Sequence, residues 1–350
     1  MINSLDIEKC TGCGTCFKTC GLDVFRLDTD QPVLSPCMAR CPAGVNVRSY
    51  NGLLQMGRIE EAAACLKERN PFPSVTGRVC PHQCEGECSR ASVDGAVNIN
   101  ALEQYLGDRT LNAAPEAPAQ RHIHRIAVVG SGPAGLSCAW YLAREGYPVR
   151  VFEAMPEPGG MLRYGIPAYR LPAAVLDAQL EQLRTLGVEF QCACRVGRGG
   201  DCTIQDLYDL GYKAVFLAPG ATKSRRPGIP GEELPGVLYG VEFLSAVRQN
   251  RQAALSGRVV VVGGGSVAMD VAVTARKLGA EGVELFCLES EKEMPAFQED
   301  IEEALHAGVV MHPGWGPVSV EGGDSAKALV LRRCLSVFDA EGRFAPTFND

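Results

Sequence analysis

The chain has 350 residues, 46% of them hydrophobic and 21% charged, the balance of a soluble globular protein with room for two or three domains; a disordered or fibrous chain is excluded. A net charge of -7 argues against a nucleic-acid partner, and with no signal-peptide pattern and no uncharged apolar run of membrane-spanning length, a cytoplasmic protein is expected. Sixteen cysteines in a reducing compartment speak for metal rather than disulfides, and ten of them precede residue 90.

Cys10, Cys13, Cys16 and Cys20 follow C-x2-C-x2-C-x3-C. That spacing wraps three thiolates around one face of a [4Fe-4S] cube, while the fourth often serves another cluster. Zinc prefers two separated pairs at tetrahedral spacing and fits the run poorly. Gly21 stands where such runs usually have Pro. A second set follows, comprising Cys37, Cys41, Cys80, Cys84 and Cys88. Between its halves Tyr50, Leu53, Leu54, Ile59, Ala62, Ala63 and Leu66 fall at helical spacing and predict one amphipathic helix over 47–69. Cys65 inside it is expected to be a packed thiol. His82 is expected beside the ligands or at the surface. Nine candidate thiolates remain; two cubanes need eight protein ligands and three need twelve, so two clusters are expected, a third requiring other ligands or a partner.

Residues 111–125 carry no periodicity and read as a linker. The pattern then changes to strand (126–129), glycine turn, helix (136–145) and a second strand ending at Glu153. Gly130, Gly132 and Gly135, with Pro133 and Ala134 between them, form the G-x-G-x-x-G turn that lets backbone and a helix N-terminus approach a pyrophosphate. Glu153, 23 positions after Gly130, stands where a carboxylate accepts ribose hydroxyls. The pattern repeats from Val259: Gly263, Gly265 and Ala268 form G-x-G-x-x-A, and the following strand ends at Glu289. A carboxylate there repels a 2′-phosphate and accepts from a free 2′-hydroxyl, so NADH is expected in preference to NADPH, unless Glu289 is a solvated loop residue.

PCMARCPAGVNVRSYNGLLQMGRIEEAA, NPFPSVTGRVCPHQCEGEC and AVNINALEQYLGD resemble the iron-sulfur domain shared by the bacterial glutamate synthase small subunit and the N-terminal part of dihydropyrimidine dehydrogenase. The resemblance continues through GSGPAG, GGMLRYGIPAYRLP, VFLAPGA, GGGSVAMD and EMPAFQEDIEEALHAGV, nearly everything from Cys37 onward. It implies FAD at the first nucleotide site, NAD(P)H at the second and two [4Fe-4S] clusters, one with a glutamine ligand whose place is held here by Gln104. Gly159, Gly160, Met161 and Leu162 become candidates for backbone near the isoalloxazine, Gly220 for the flavin site, and Ser266, Val267 and Asp270 for the nicotinamide-cofactor site. Lys223, Arg225 and Arg226 could meet that cofactor's phosphates or form a solvated loop. Three departures stand out. Thr29 and Pro32 hold positions where the family usually has cysteines, NADPH-using members have two arginines where this chain has Leu288 and Glu289, and the Ala-x-Gly-Asp strand end that touches the flavin phosphates is not found.

The expected architecture is multidomain α/β: a ferredoxin-like arm (1–36), an α-helical iron-sulfur domain (37–110), the linker (111–125), a Rossmann-like FAD domain (126–256) lacking its closing segment, and a Rossmann-like NAD(P)H domain (257–350). The implied reaction passes a hydride from NADH to FAD, then single electrons through the clusters to a separate catalytic subunit or a ferredoxin. No catalytic side chain is required for it. The rival expectations are a non-catalytic electron-transfer or docking module and a ferredoxin:NAD(P) oxidoreductase. By comparison with the family the chain is expected to be a fragment or one half of a split flavoprotein.

Overall fold

A computed structural model describes residues 34–118 and 121–349. The ferredoxin-like run Cys10 to Cys20, with Thr29 and Pro32, lies outside the described residues. The chain divides into two compact units between Ala114 and Pro115, inside the stretch expected as a linker.

The first unit is helical: α1 (Pro36–Arg40), α2 (Val47–Gln55), α3 (Ile59–Lys67), α4 (Pro73–Val79), α5 (Gln83–Gly86) and α6 (Ile99–Arg109). The single helix expected over 47–69 is two. Gly57 adopts φ +72°, and the N–H of Arg58 donates to the Leu53 carbonyl at 2.9 Å, the glycine-terminated helix end that satisfies orphan carbonyls. The chain turns there and α3 packs back on α2, so the apolar stripe survives the break. Tyr50, Ala62, Ala63 and Leu66 are buried with Val45, Val47, Ile99 and Leu106, and Leu53, Leu54 and Ile59 pack around them. α4 and α6 meet at glycines: a Cβ on Gly77 would stand 2.5 Å from the Gln104 Cβ, and one on Gly107 2.4 Å from the Ser74 nitrogen.

The second unit holds two parallel sheets. The first has the order β3-β2-β1-β4, from β1 (Ile126–Val129), β2 (Val149–Phe152), β3 (Glu189–Gln191) and β4 (Ala214–Leu217). In register, Val128 pairs with Val151 on one side and Phe216 on the other. Between the strands run α7 (Pro133–Arg144), α8 (Met161–Tyr164), α9 (Ala173–Thr185) and α10 (Ile204–Asp209). α7 starts at Pro133 rather than 136 because proline is pre-set for the first helical position. The second sheet, β5-β6-β7, is built from β5 (Arg258–Val262), β6 (Gly282–Cys287) and β7 (Val309–Pro313), preceded by α11 (Gly240–Arg248) and interleaved with α12 (Ser266–Lys277) and α13 (Gln298–His306). Met269, Ala272, Val273, Val283 and Leu285 form its core. A third, antiparallel sheet, ordered β10-β9-β8, follows from β8 (Trp315–Gly322), β9 (Ala326–Phe338) and β10 (Phe344–Phe348), an addition to the strand-helix-strand pattern read for this region.

One ion cluster ties α12 and α13 to the loop between α8 and α9. Arg170 reaches Asp270 on α12 (2.5 Å) and Asp300 and Glu303 on α13 (2.7 and 2.9 Å). The Lys277 ammonium lies 3.3 Å from the centre of the Tyr169 ring. Removing the arginine leaves three carboxylates together, Asp300 buried and Asp270 nearly so. Arg170→Ala is therefore expected to cost about 3 kcal/mol, the low end for breaking a buried pair because the arginine side chain is 22% exposed. By calorimetry the unit should melt roughly 6–12 °C lower. Burial already raises the Asp270 carboxyl above its usual range. An acid whose folded pKa is raised weakens the fold when ionised and is relieved as pH falls, so the deficit should shrink between pH 7 and pH 5. A deficit that grows with acid would mean that the arginine is not compensating the carboxylates.

Candidate functional site

The first glycine loop leaves β1 at Gly130, which has φ +99°. A Cβ on Gly130 would lie 2.1 Å from the Ala218 carbonyl oxygen beyond β4, and one on Gly135 1.9 Å from the Gly130 carbonyl oxygen. Both positions admit glycine alone. A Cβ on Gly132, by contrast, would meet nothing within 4 Å. Gly132 is the N-cap of α7 with no side-chain cap, so the N–H groups of Ala134 and Gly135 face an open cradle. That arrangement suits an anion held against bare backbone.

Glu153 follows β2 and is buried. It accepts from the Ser131 N–H (3.0 Å), the Ser131 hydroxyl and the Met155 N–H (2.8 Å), while the Ser131 hydroxyl accepts from the Gly159 N–H (2.9 Å). Gly160, at φ +51°, backs onto the first loop, and a Cβ there would stand 2.7 Å from the Gly132 Cα. Met161 and Leu162 open α8, with Leu162 buried. Gly220, at φ +68°, lies two residues past the Ala218 that touches Gly130. The residues expected around a flavin thus gather at the carboxyl ends of β1, β2 and β4, the usual place for a ligand in such a sheet. A pyrophosphate fits this cradle.

The second loop repeats the plan with more room. Gly263 has φ +135° and would place a Cβ 3.6 Å from that of Ala268, ordinary contact distance, which is why alanine serves in the third slot. Gly265 is the N-cap of α12, again open on its Cβ side. The loop is braced by Ala296 N–H to the Gly264 carbonyl (3.1 Å) and Phe297 N–H to the Ser266 hydroxyl (3.4 Å). Glu289 leans over it: a Cβ on Gly264 would lie 2.8 Å from the Glu289 Oε2. Burial, and then the Glu289 carboxylate, push the Cys287 thiol up to about 11. Val267 is half-exposed on the first turn of α12. Asp270 turns to Arg170 and Tyr169. Of the basic loop, Arg226 stacks on the Tyr239 ring at 4.8 Å, while Ser224 donates to Glu242 on α11.

In the helical unit α1 packs on α5, bringing Cys37 and Cys41 toward Cys84. Burial raises the Cys84 thiol to about 12, and Glu103, Cys80, Cys41 and Glu85 add to the effect. Cys80 is likewise raised, by burial and then by Glu103, Cys41 and Glu85, against one N–H from His82. Among the described residues no three such side chains converge tightly enough for a single metal ion. A cubane asks for a different arrangement, because each of its irons takes its own cysteine and the ligands stand further apart. Crowded thiols among acids, in a partly dry site, suit a cationic iron core, so the donor set fits such a cluster. Cys88 accepts from the Val97 N–H (3.5 Å), and Gln104 lies on α6 against Gly77, three residues before Cys80. The His82 ring turns to the Cys80 carbonyl (3.0 Å), and Cys65 packs on the helical core. Motif reading missed Glu103, which accepts from Tyr50 (3.3 Å) and Asn70 (3.4 Å) in the dry centre of the unit, and Ser131, the bridge between the two flavin-side loops. No helix among the described residues is long and apolar enough to cross a membrane.

Residues 124–342 match the pyridine nucleotide-disulphide oxidoreductase family, and residues 31–114 match dihydropyrimidine dehydrogenase domain II, 4Fe-4S cluster. The chain therefore belongs to the pyridine nucleotide-disulphide oxidoreductases, with a 4Fe-4S domain ahead of the nucleotide-binding part. It is 34% identical to the glutamate synthase [NADPH] small chain of Escherichia coli, over 88% of this chain and 68% of that one. It is 38% identical to the NADPH-Fe(3+) oxidoreductase subunit beta of Geobacter sulfurreducens, over 89% of this chain and 48% of that one, so it spans about half the length of this relative. In fold it resembles FprA of Mycobacterium tuberculosis, with a TM-score of 0.55, 19% identity, and coverage of 65% of this chain and 67% of that one.

Proposed function

We propose that this chain is the electron-input subunit of a larger oxidoreductase: it takes electrons from NADH at the second loop, passes them to FAD at the first and on to two [4Fe-4S] clusters, and delivers them to a separate catalytic subunit or a ferredoxin. The observation that carries the reading is the pair of open, side-chain-free helix N-termini at Gly132 and Gly265 within one unit of a chain that also has a 4Fe-4S domain. Bound flavin supplies the conversion between two-electron and one-electron transfer. The protein's part is to bind and orient. The α7 and α12 N-termini would hold the pyrophosphates, Glu153 would accept from the adenosine ribose, and the loop at Gly159 and Gly160 would lie on the flavin side. Cys37, Cys41, Cys80, Cys84 and Cys88, with Gln104 and the run Cys10 to Cys20, are the proposed cluster ligands.

The relatives above carry NADPH in their names, whereas the position of Glu289 over Gly264 supports NADH here. Anaerobic reconstitution with iron, sulfide and FAD, followed by titration, tests both readings. NADH should bleach the flavin band near 450 nm and NADPH should do so much less well. Replacing Glu289 by arginine should move the ratio of the two efficiencies toward NADPH by about tenfold to a hundredfold, the worth of a charged hydrogen bond exchanged for a repulsion. Equal bleaching by both cofactors in the unaltered chain would sink the Glu289 argument, and cluster absorbance without any retained flavin would favour the docking module.

A further inference from the structure

The segment after β3 carries three cysteines, Cys192, Cys194 and Cys202, that the proposed electron path does not use. Cys194 is buried with Ala127, Phe152, Leu207 and Tyr212, and Cys202 packs against the same cluster. Their sulfurs stand 3.9 Å apart. The loop between them is already closed: Val196 pairs with Cys202, the Gly197 N–H donates to the Cys202 carbonyl, and the Asp201 N–H donates to the Arg195 carbonyl, both at 2.8 Å. Ala193, just before Cys194, has φ +50°, a left-handed conformation that persists in a non-glycine residue only where its surroundings enforce it. The enforcing bonds are Ala193 N–H to the Met155 carbonyl and Cys194 N–H to the Glu153 carbonyl, each 2.9 Å, which pin the segment to the end of β2.

We propose that Cys194 and Cys202 form an oxidisable dithiol, a modification site that closes to a disulfide when a hydroperoxide reaches it. The Cys202 thiolate, on the more exposed of the two residues, attacks the peroxide, breaks its O–O bond and becomes a sulfenic acid, with water released. The Cys194 sulfur then displaces the sulfenic oxygen as a second water. In sum two thiols and one hydrogen peroxide yield one disulfide and two waters, and an external thiol reverses the change by exchange. The site stands whether or not the first loop holds FAD. Cys202 is faced by Cys194, by Asp201 on its own loop and by Asp206 on α10, with Tyr212 in the cluster behind. Burial, then the Cys194 thiol, then the two acids push its thiol up to about 11. Below that value the thiolate fraction, and with it the oxidation rate, rises about tenfold per pH unit.

The test treats the whole chain, purified anaerobically, with hydrogen peroxide, then alkylates it and maps its peptides by mass spectrometry, a readout that cluster damage does not blur. The expected product is a peptide pair joining Cys194 to Cys202, two hydrogens lighter than the dithiol form and lost on reduction, with Cys192 still alkylated. Its formation should quicken about a hundredfold from pH 7 to pH 9. The oxidised unit should melt a few degrees higher, as expected for a cross-linked short loop. The proposal is overturned if Cys192 replaces either partner, if both thiols remain alkylatable in the denatured protein after peroxide, or if the rate is flat with pH.

Discussion

Gly135→Ala should leave the reconstituted chain without flavin. The added Cβ would stand 1.9 Å from the Gly130 carbonyl oxygen, 3.0 Å from its carbon and 3.2 Å from a Val128 methyl. Two of these obstacles are backbone and cannot swing aside as a flexible side chain can. α7 must then back away from β1, carrying the Ala134 and Gly135 N–H groups off the phosphate position. A displacement that weakens binding by more than about 1.4 kcal/mol already costs tenfold in affinity. Overpacking adds about 1–3 kcal/mol against folding. With free FAD kept below its dissociation constant, flavin per chain should fall below about a tenth of the unaltered value. The matching change in the second loop, Ala268→Gly, relieves no clash and should leave NADH binding within about twofold, because Gly263 and Ala268 are already at ordinary contact. Full flavin occupancy in the Gly135 variant would show that flavin binds somewhere other than this loop.

Cys84→Ser should remove one cluster and loosen the helical unit. Cys84 lies on α5 within the electrostatic reach of Cys80 and Cys41, and α5 packs on α1. Serine offers no soft thiolate to iron, so about four irons and four sulfides per chain should be missing on chemical analysis. Metal binding is coupled to folding, and the described residues of this unit form six α-helices, three of seven residues or fewer, around one small core; its circular dichroism should therefore fall with the iron. Cys65→Ser is the matched control. Its thiol packs on the core and is influenced by burial and Glu68 rather than by another cysteine, so iron should be retained in full and stability lowered by about 1 kcal/mol. Loss of iron in the Cys65 variant and not in the Cys84 variant would overturn the ligand assignment.

The glycine loops were legible because their spacing encodes backbone geometry directly: Gly130 and Gly135 are glycines because carbonyl oxygens occupy the space of a side chain. The apolar stripe around Tyr50 was legible too, since burial follows the periodicity even across the turn at Gly57. The turn itself was not, because a lone glycine inside an apolar-periodic stretch is compatible with an unbroken helix. Contacts between distant segments left no local trace. Nothing in GIPAYRLP announces that Arg170 gathers Asp270, Asp300 and Glu303, and nothing in GSGPAG announces that Ser131 links Glu153 to Gly159. The antiparallel sheet also escaped, since Arg332 and Arg333 interrupt the alternation in β9 that would mark a half-buried strand.

The contact of Gly160 with Gly132 has a consequence for how such a protein can diverge. The two turns, 28 residues apart, share one space with no side chain between them, and Ser131 and Glu153 lock them together. A side chain gained at Gly160 meets the backbone of Gly132, so the second turn cannot take one while the first stays in place. A chimera whose incoming second turn carries a side chain at the place of Gly160 should fail unless a first turn that makes room for it travels with it.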